Sequence, residues 1–468
     1  MTASNHQAST PNFLQALVCF GIVLLIISVG LFAYVIDLHS LMFLCLLWCG
    51  LVARLLGYPY SAIREMMASA ITRALPAIYI FILIGMVIAS FMHSGTIAAL
   101  MYYGLGFLNP ALFLAIGLIL CAFMSLATGT SWGTVGTIGV VFIGIGETLG
   151  IPLPIVAGMV VCGATFGDKL SPVSDTTNLA AMSAETNLYR HIQSMLYTTF
   201  PTLIIVLVIF ILIGFRYSGS DSTAEAIVSI QQALDATYKL SPVISFLPLI
   251  LMLVLSIRRF AAEIAMSASI LLAVVIAITY QQHTAVDVLN ALWLNTPTNS
   301  GIASLDDLLG RGGISSMSWT LLLALMALAL GGILQGAGIL SALLSGMIAR
   351  VKHTTALIST TICSGLIGNM AMGEAYISII LNCQLFREQY RKQKLDSAVL
   401  SRSVEEGSTL TTGLIPWTTA GAFYSATLGV PVLDYAPYAF FNYLNAFVSI
   451  TMAALGIGLL KNRFLKSS

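Results

Sequence analysis

The sequence predicts an all-α polytopic membrane protein built from inverted structural repeats, with broken helices and re-entrant hairpins. Three observations predict it. Hydrophobic residues make up 58% of the chain and charged residues only 8%, where a soluble domain carries about 25% charge; the mean hydropathy is +0.94. Apolar runs of about 17–25 residues, the length that a bilayer core demands, recur from end to end. The order of spans and polar breaks also repeats at a shift of about 240 residues, the mark of a duplicated architecture. A β-barrel would alternate over segments of about ten residues, and no such segments occur.

Taken in order, residues 1–11 form a polar tail without Lys or Arg, followed by the apolar run Phe13–Tyr34. That run has no basic leader and is too long for a signal-peptide core, so it reads as a first span. The first repeat is expected over 12–217 and also contains the runs Leu108–Thr128 and Thr198–Phe215. Residues 218–240 read as an external connector, because Ser222–Lys239 is amphipathic and poor in basic residues; Thr284–Asn295 has the same character. The second, inverted repeat covers 241–460 and ends in the run Ala439–Leu460, and 461–468 is a basic tail. Arg54, Arg64, Arg73, Arg258, Arg259, Arg350, Lys352 and the cluster Arg387, Arg391, Lys392 and Lys394 set the orientation. Keeping them all on the cytoplasmic side takes roughly fourteen crossings, with both termini cytoplasmic. The loop Ile36–Leu38 has no basic residue, while its counterpart carries Arg258 and Arg259, as inverted halves require. The net charge of +1 gives no case for nucleic acid. The seven Cys lie mostly in apolar runs, without metal-like spacing, and are expected to be reduced and buried.

Four polar breaks carry the chemistry. The first, Ala127–Gly139, offers the hydroxyls of Thr128, Thr130, Ser131 and Thr134 beside glycines that free the backbone. These are hard oxygen ligands, suited to a small cation such as Na⁺, although small residues also serve helix packing. The second, GATFGDKLSPVSDTTNLAA at 163–181, places Asp168, Lys169 and Asp175 in an apolar chain. Ionisable groups at that depth are costly and commonly mark an ion pathway. Pro172 prevents one regular helix, so the segment reads as a helix end, an unwound turn and a new helix start. Ser171, Ser174, Thr176 and Asn178 then surround the two acids. Asp175 as a helix cap and Asp168–Lys169 as a structural ion pair are the plainer readings. The sharper one has Asp168 or Asp175 bind Na⁺ or H⁺ in competition, with neighbouring Ser and Thr oxygens completing the site. Binding one or the other, never both, is sufficient for antiport. The third break, Ser364–Tyr376, contributes Asn369 and Glu374, and the shift lays Glu374 on Thr134, Ser408 on Asp168 and Ile415 on Asp175. The fourth, Ser401–Thr419, contributes Glu406, Ser408, Thr409 and Thr412; of the adjacent Glu405 and Glu406 at most one faces a given cavity. Glu406 is preferred, because it directly precedes the turn expected at Gly407, and Arg402 is placed to neutralise a neighbouring Glu.

No nucleotide-binding loop or metalloprotease motif is present, and none of the six His, which lie mostly in loops or at span ends, falls in a polar break to partner a nucleophile, so an enzyme is not expected, and no cofactor is expected beyond the transported Na⁺ and H⁺. At ATGTSWGTVGTIG, GATFGDKLSPVSDTTNLAA, GNMAMGEAYISII and EEGSTLTTGLIPWTTAGAF the sequence resembles the NhaC family of Na⁺/H⁺ antiporters, which also contains malate/lactate antiporters. The resemblance covers roughly residues 12–460. It implies a bacterial inner-membrane carrier in which a scaffold holds a mobile transport region with paired re-entrant hairpins. The implied partners are membrane lipid, Na⁺ and H⁺, with a small organic anion as the alternative and a homodimer as the expected assembly. The same likeness puts Asp168, Asp175 and the Glu405–Thr412 region at the centre.

Overall fold

A bilayer offers the backbone no hydrogen-bond partners, so a spanning chain must satisfy its own amides. The computed structural model describes residues 9–107, 110–217, 221–258, 260–296, 300–349, 351 and 353–460. The two expected tails lie mostly outside the described residues, as do Arg259, Arg350 and Lys352. Helices dominate, and no strand occurs among the described residues. The first helix begins where Asn12 caps it, with Gln15 returning a bond to the Asn12 amide.

Seven helices are long and apolar enough to cross a membrane, and a pair bent by 44° between Arg73 and Ile78 raises the number to eight. The remaining apolar chain sits in helices of 10–17 residues. Full-length spans are therefore fewer than the roughly fourteen expected crossings, and of the shorter helices Phe113–Thr128 ends at a polar break. Both amphipathic segments are helical, at Asp221–Thr237 and Ala285–Trp293.

The chain repeats its local geometry. Phe113–Thr128 ends at Gly129 with φ 71°, and Thr130 is extended and caps the next helix. Thr354–Met372 ends at Gly373 with φ 65°, and Glu374 is extended and caps the next helix. The αL turn at both ends favours glycine, since a Cβ would be strained there. Further on, Ser174 caps Asp175–Ser183 and Thr418 caps Thr419–Leu428. Close packing repeats in the same register. A Cβ on Gly163 would lie 2.5 Å from the Leu118 carbonyl, and one on Gly407 would lie 2.2 Å from that of Ile362. In each half a glycine thus presses the helix before the first polar break against a helix beyond the segment that follows the break. The two halves also exchange partners: Leu38–Leu55 packs on Ser318–Gly336, and Ala262–Thr279 packs on Leu75–His93.

This register is four residues longer than the sequence shift, which corrects three correspondences. Glu374 matches Thr130 rather than Thr134, Thr412 rather than Ser408 matches Asp168, and Thr419 rather than Ile415 matches Asp175. The last break is also displaced. Ser397–Thr412 runs as one helix through Gly407. That glycine is kept for contact with Ile362, and the chain turns only at Gly413–Thr418.

Candidate functional site

The broken ends meet around a cavity of about 650 Å³. Three repeat-related pairs line it: Thr130 with Glu374, Asp168 with Thr412, and Asp175 with Thr419. Each pair sets one carboxyl against one hydroxyl. Thr128, Ser131, Thr176 and Thr409 complete the expected residues in its wall. Pro172 acts as expected: the helix stops at Leu170, and a new one starts at Asp175 with Ser174 as its cap.

Asp168 is, with Glu374, one of two buried acids in the wall. It is 6% exposed, and its Oδ2 accepts a hydrogen bond from Ser131 Oγ at 3.0 Å. Its Oδ1 is buried and has no hydrogen-bond partner among the described residues; the same holds for Thr412 Oγ1, its counterpart in the other half. Lys169 is 1% exposed, and its ammonium donates to Thr176 Oγ1 at 2.6 Å and to Glu405 Oε1 at 3.0 Å. It stands farther from Asp168 Oδ2, at 3.4 Å. Behind Glu405, His191 Nε2 lies 2.7 Å from Glu405 Oε2, and His191 Nδ1 meets Ser401 Oγ at 2.7 Å. Charge therefore runs from the cavity wall into the packed interior.

Asp175 and Glu374 are satisfied locally. The Asp175 carboxylate accepts from the Thr176 amide at 2.7 Å and from the Tyr376 hydroxyl. Glu374 accepts from Thr419 Oγ1 at 2.8 Å and from the Tyr376 amide at 3.3 Å. Arg73, Phe260 and Glu263 also line the cavity, and Phe260 is half-exposed.

Other expected residues lie away from the cavity. Thr134 Oγ1 donates to the Thr130 carbonyl, and Ser171 Oγ donates to that of Leu126. Ser174 caps its helix, while Asn178 Nδ2 ties down the Pro172 and Ser174 carbonyls. Asn369 Nδ2 donates to the Ser408 carbonyl and to Thr411 Oγ1, and Ser408 Oγ faces Ser378 Oγ at 3.0 Å. Glu406 points to the far side of its helix. There it accepts from Thr198 and Ser449, each at 2.6 Å, with Arg402 Nε at 3.8 Å. Glu405, not Glu406, meets the ammonium, because successive helical residues point about 100° apart.

His191 is not among the site residues that the sequence predicts. Its signal was a stripe: His191, Ser194, Thr198 and Thr202 recur at helical spacing in an apolar run, and all four are fully buried. Among the described cysteines Cys363 is exposed, contrary to expectation, and the other six are buried and unbridged.

The model of the Na⁺/H⁺ antiporter family matches residues 13–177 and 163–457. The chain is 37% identical to the Na⁺/H⁺ antiporter NhaC of Alkalihalophilus pseudofirmus, over 96% of this chain and 97% of that one. It is 34% identical to the Na⁺/H⁺ antiporter NhaC of Bacillus subtilis, over 94% and 97%. A malate-2H⁺/Na⁺-lactate antiporter of B. subtilis is 31% identical, over 98% of each chain.

Proposed function

Since the chain belongs to the Na⁺/H⁺ antiporter family and is a secondary Na⁺/H⁺ exchanger, we propose that the two cations compete at Asp168. The observation that carries this reading is the repeat-related pair of unpartnered oxygens, Asp168 Oδ1 and Thr412 Oγ1, in the wall of one cavity. A buried carboxylate oxygen without a partner is costly. Either a proton or a Na⁺ ion relieves that cost, and one excludes the other. Hard oxygens from Asp168, Thr412 and Ser131 suit Na⁺ after it sheds water. Lys169 does not cancel the demand, because Glu405 holds its ammonium closer than Asp168 does.

The geometry also supports alternating access. Each half presents a broken helix end to the same cavity, as inverted-repeat carriers do near the midplane. Arg73 and Phe260, exposed residues of the wall, adjoin the basic loops, which supports a cytoplasmic opening in a bacterial inner membrane with cytoplasmic termini. In everted vesicles, Na⁺ addition is expected to dissipate a preformed ΔpH with the native chain and not with Asp168→Asn. Native-rate dissipation by Asp168→Asn would sink the assignment. The organic-anion reading is weaker. Its best cation, Lys169, is already engaged by Glu405, and the cavity wall carries Asp168, Asp175, Glu374 and Glu263 against Lys169 and Arg73.

A further inference from the structure

A line of buried polar groups leads away from Asp168 behind the cavity wall. Lys169 Nζ stands 3.4 Å from Asp168 Oδ2 and 3.0 Å from Glu405 Oε1. On the other side of that carboxylate, Glu405 Oε2 stands 2.7 Å from His191 Nε2, and His191 Nδ1 stands 2.7 Å from Ser401 Oγ. Glu405, His191 and Ser401 are fully buried and lie outside the cavity wall. The line ends close to the cytoplasmic face. His191 sits in the first turn of Leu188–Gly214, beside the exposed Arg190, and Arg190 pairs with Asp396, the cap of Ser397–Thr412. Arg402 and Glu406, one position on from Ser401 and Glu405, face another side and stand 3.8 Å apart.

Stability does not account for this line, because buried ion pairs seldom repay their desolvation. The His191–Glu405 contact is also a poor anchor: at 2.7 Å it gives neither Nε2 nor Oε2 an aligned hydrogen bond. It is close enough for proton transfer and has no fixed bond to break first. An imidazole takes up a proton at one ring nitrogen and yields one from the other, and both nitrogens of His191 have a polar neighbour on the line.

We infer that His191 and Glu405 carry the transported proton between the cytoplasmic face and Asp168, by a route separate from the cavity that admits Na⁺. This rests on the Na⁺ site proposed above. In the inward-to-site direction, His191 gains a proton at one ring nitrogen and gives the Nε2 proton to Glu405 Oε2. The Lys169 ammonium gives a proton to Asp168 Oδ2 and regains one from the Glu405 carboxyl. The proton ends on Asp168 and every other group returns to its starting state; release runs in reverse. The test compares two assays on the purified full chain in proteoliposomes. Radiolabelled Na⁺ self-exchange between equal solutions at one pH moves no proton, whereas Na⁺-driven proton movement does. His191→Gln keeps hydrogen-bonding groups but cannot relay a proton. It is expected to leave self-exchange near the native rate and to slow proton movement at least about ten-fold, within what a positioned proton-transfer group contributes. Ser401→Ala, which strips the Nδ1 neighbour, is expected to show the same split to a smaller degree, and it carries the test if His191→Gln does not fold. Native proton movement in these variants, or an equal loss in both assays, overturns the inference. If Asp168→Asn loses both activities while His191→Gln keeps both, the Na⁺ site stands and the proton route falls. If Asp168→Asn keeps both, the Na⁺ site itself has failed.

Discussion

Two neighbouring glutamates divide the chemistry at the residue scale. Glu405 faces Lys169 and His191, while Glu406 faces Arg402, Thr198 and Ser449. Removing one partner of a buried pair leaves the other charge uncompensated. Glu405→Gln therefore returns the Lys169 ammonium to Asp168, where it competes with Na⁺. The half-saturating Na⁺ concentration in everted vesicles is expected to rise about ten-fold or more, a change of ~1.4 kcal/mol per decade. Glu406→Gln is expected to lower the unfolding temperature of the purified protein and to leave half-saturation within about two-fold. The reverse pattern would reassign the two residues. Sequence alone said that at most one of them faces the cavity. Which one depends on how the helix is turned about its axis, and that is fixed by Gly407 meeting Ile362 across the interface. The partner helix is far away in sequence, so the choice was not readable locally.

Elements differ in how much of them was legible. The break at Pro172 was readable, because Pro denies the helix a donor and clashes one turn back. The turn at Gly407 was misread, because glycine in a membrane helix serves close approach as readily as bending. The two uses predict opposite behaviour on substitution. Gly407→Ala places a Cβ 2.2 Å from a backbone carbonyl, and such overpacking costs roughly 1–3 kcal/mol. Gly50→Ala, in the Leu38–Leu55 helix with nothing within 4 Å, is expected to be neutral or stabilising by up to about 1 kcal/mol. Thermal unfolding of the two detergent-purified variants checks the contrast. A destabilised Gly50→Ala with a native-like Gly407→Ala would contradict the packing role.

On the scale of the whole molecule, the duplication is more regular than the sequence suggests. Helix caps, αL glycines and glycine contacts keep register between the halves, while the lining side chains alternate between acid and hydroxyl. Backbone geometry tolerates low identity, so the shift of about 240 residues falls one helical turn short of the register in which the caps and αL glycines recur. If Asp168 and Thr412 serve one ion from opposite sides, the carboxylate can change sides. Asp168→Thr is expected to abolish Na⁺-dependent dissipation of ΔpH. Asp168→Thr combined with Thr412→Asp is expected to recover a measurable fraction of it. A double variant no better than the single one would mean that the two positions do not share an ion.

The contact between Lys169 and Glu405 also sets a schedule for biosynthesis. The two residues are 236 positions apart, and ribosomes add about 5–20 residues per second. Lys169 therefore waits roughly 10–50 s after its own synthesis before Glu405 is made. Throughout that interval its neighbour Asp168, 3.4 Å away in the finished protein, is the one carboxylate in the same helix turn. The Asp-Lys dipeptide thus gives the nascent first half a charge-neutral unit to insert, and Glu405, arriving later, takes the shorter contact with the ammonium, at 3.0 Å against 3.4 Å.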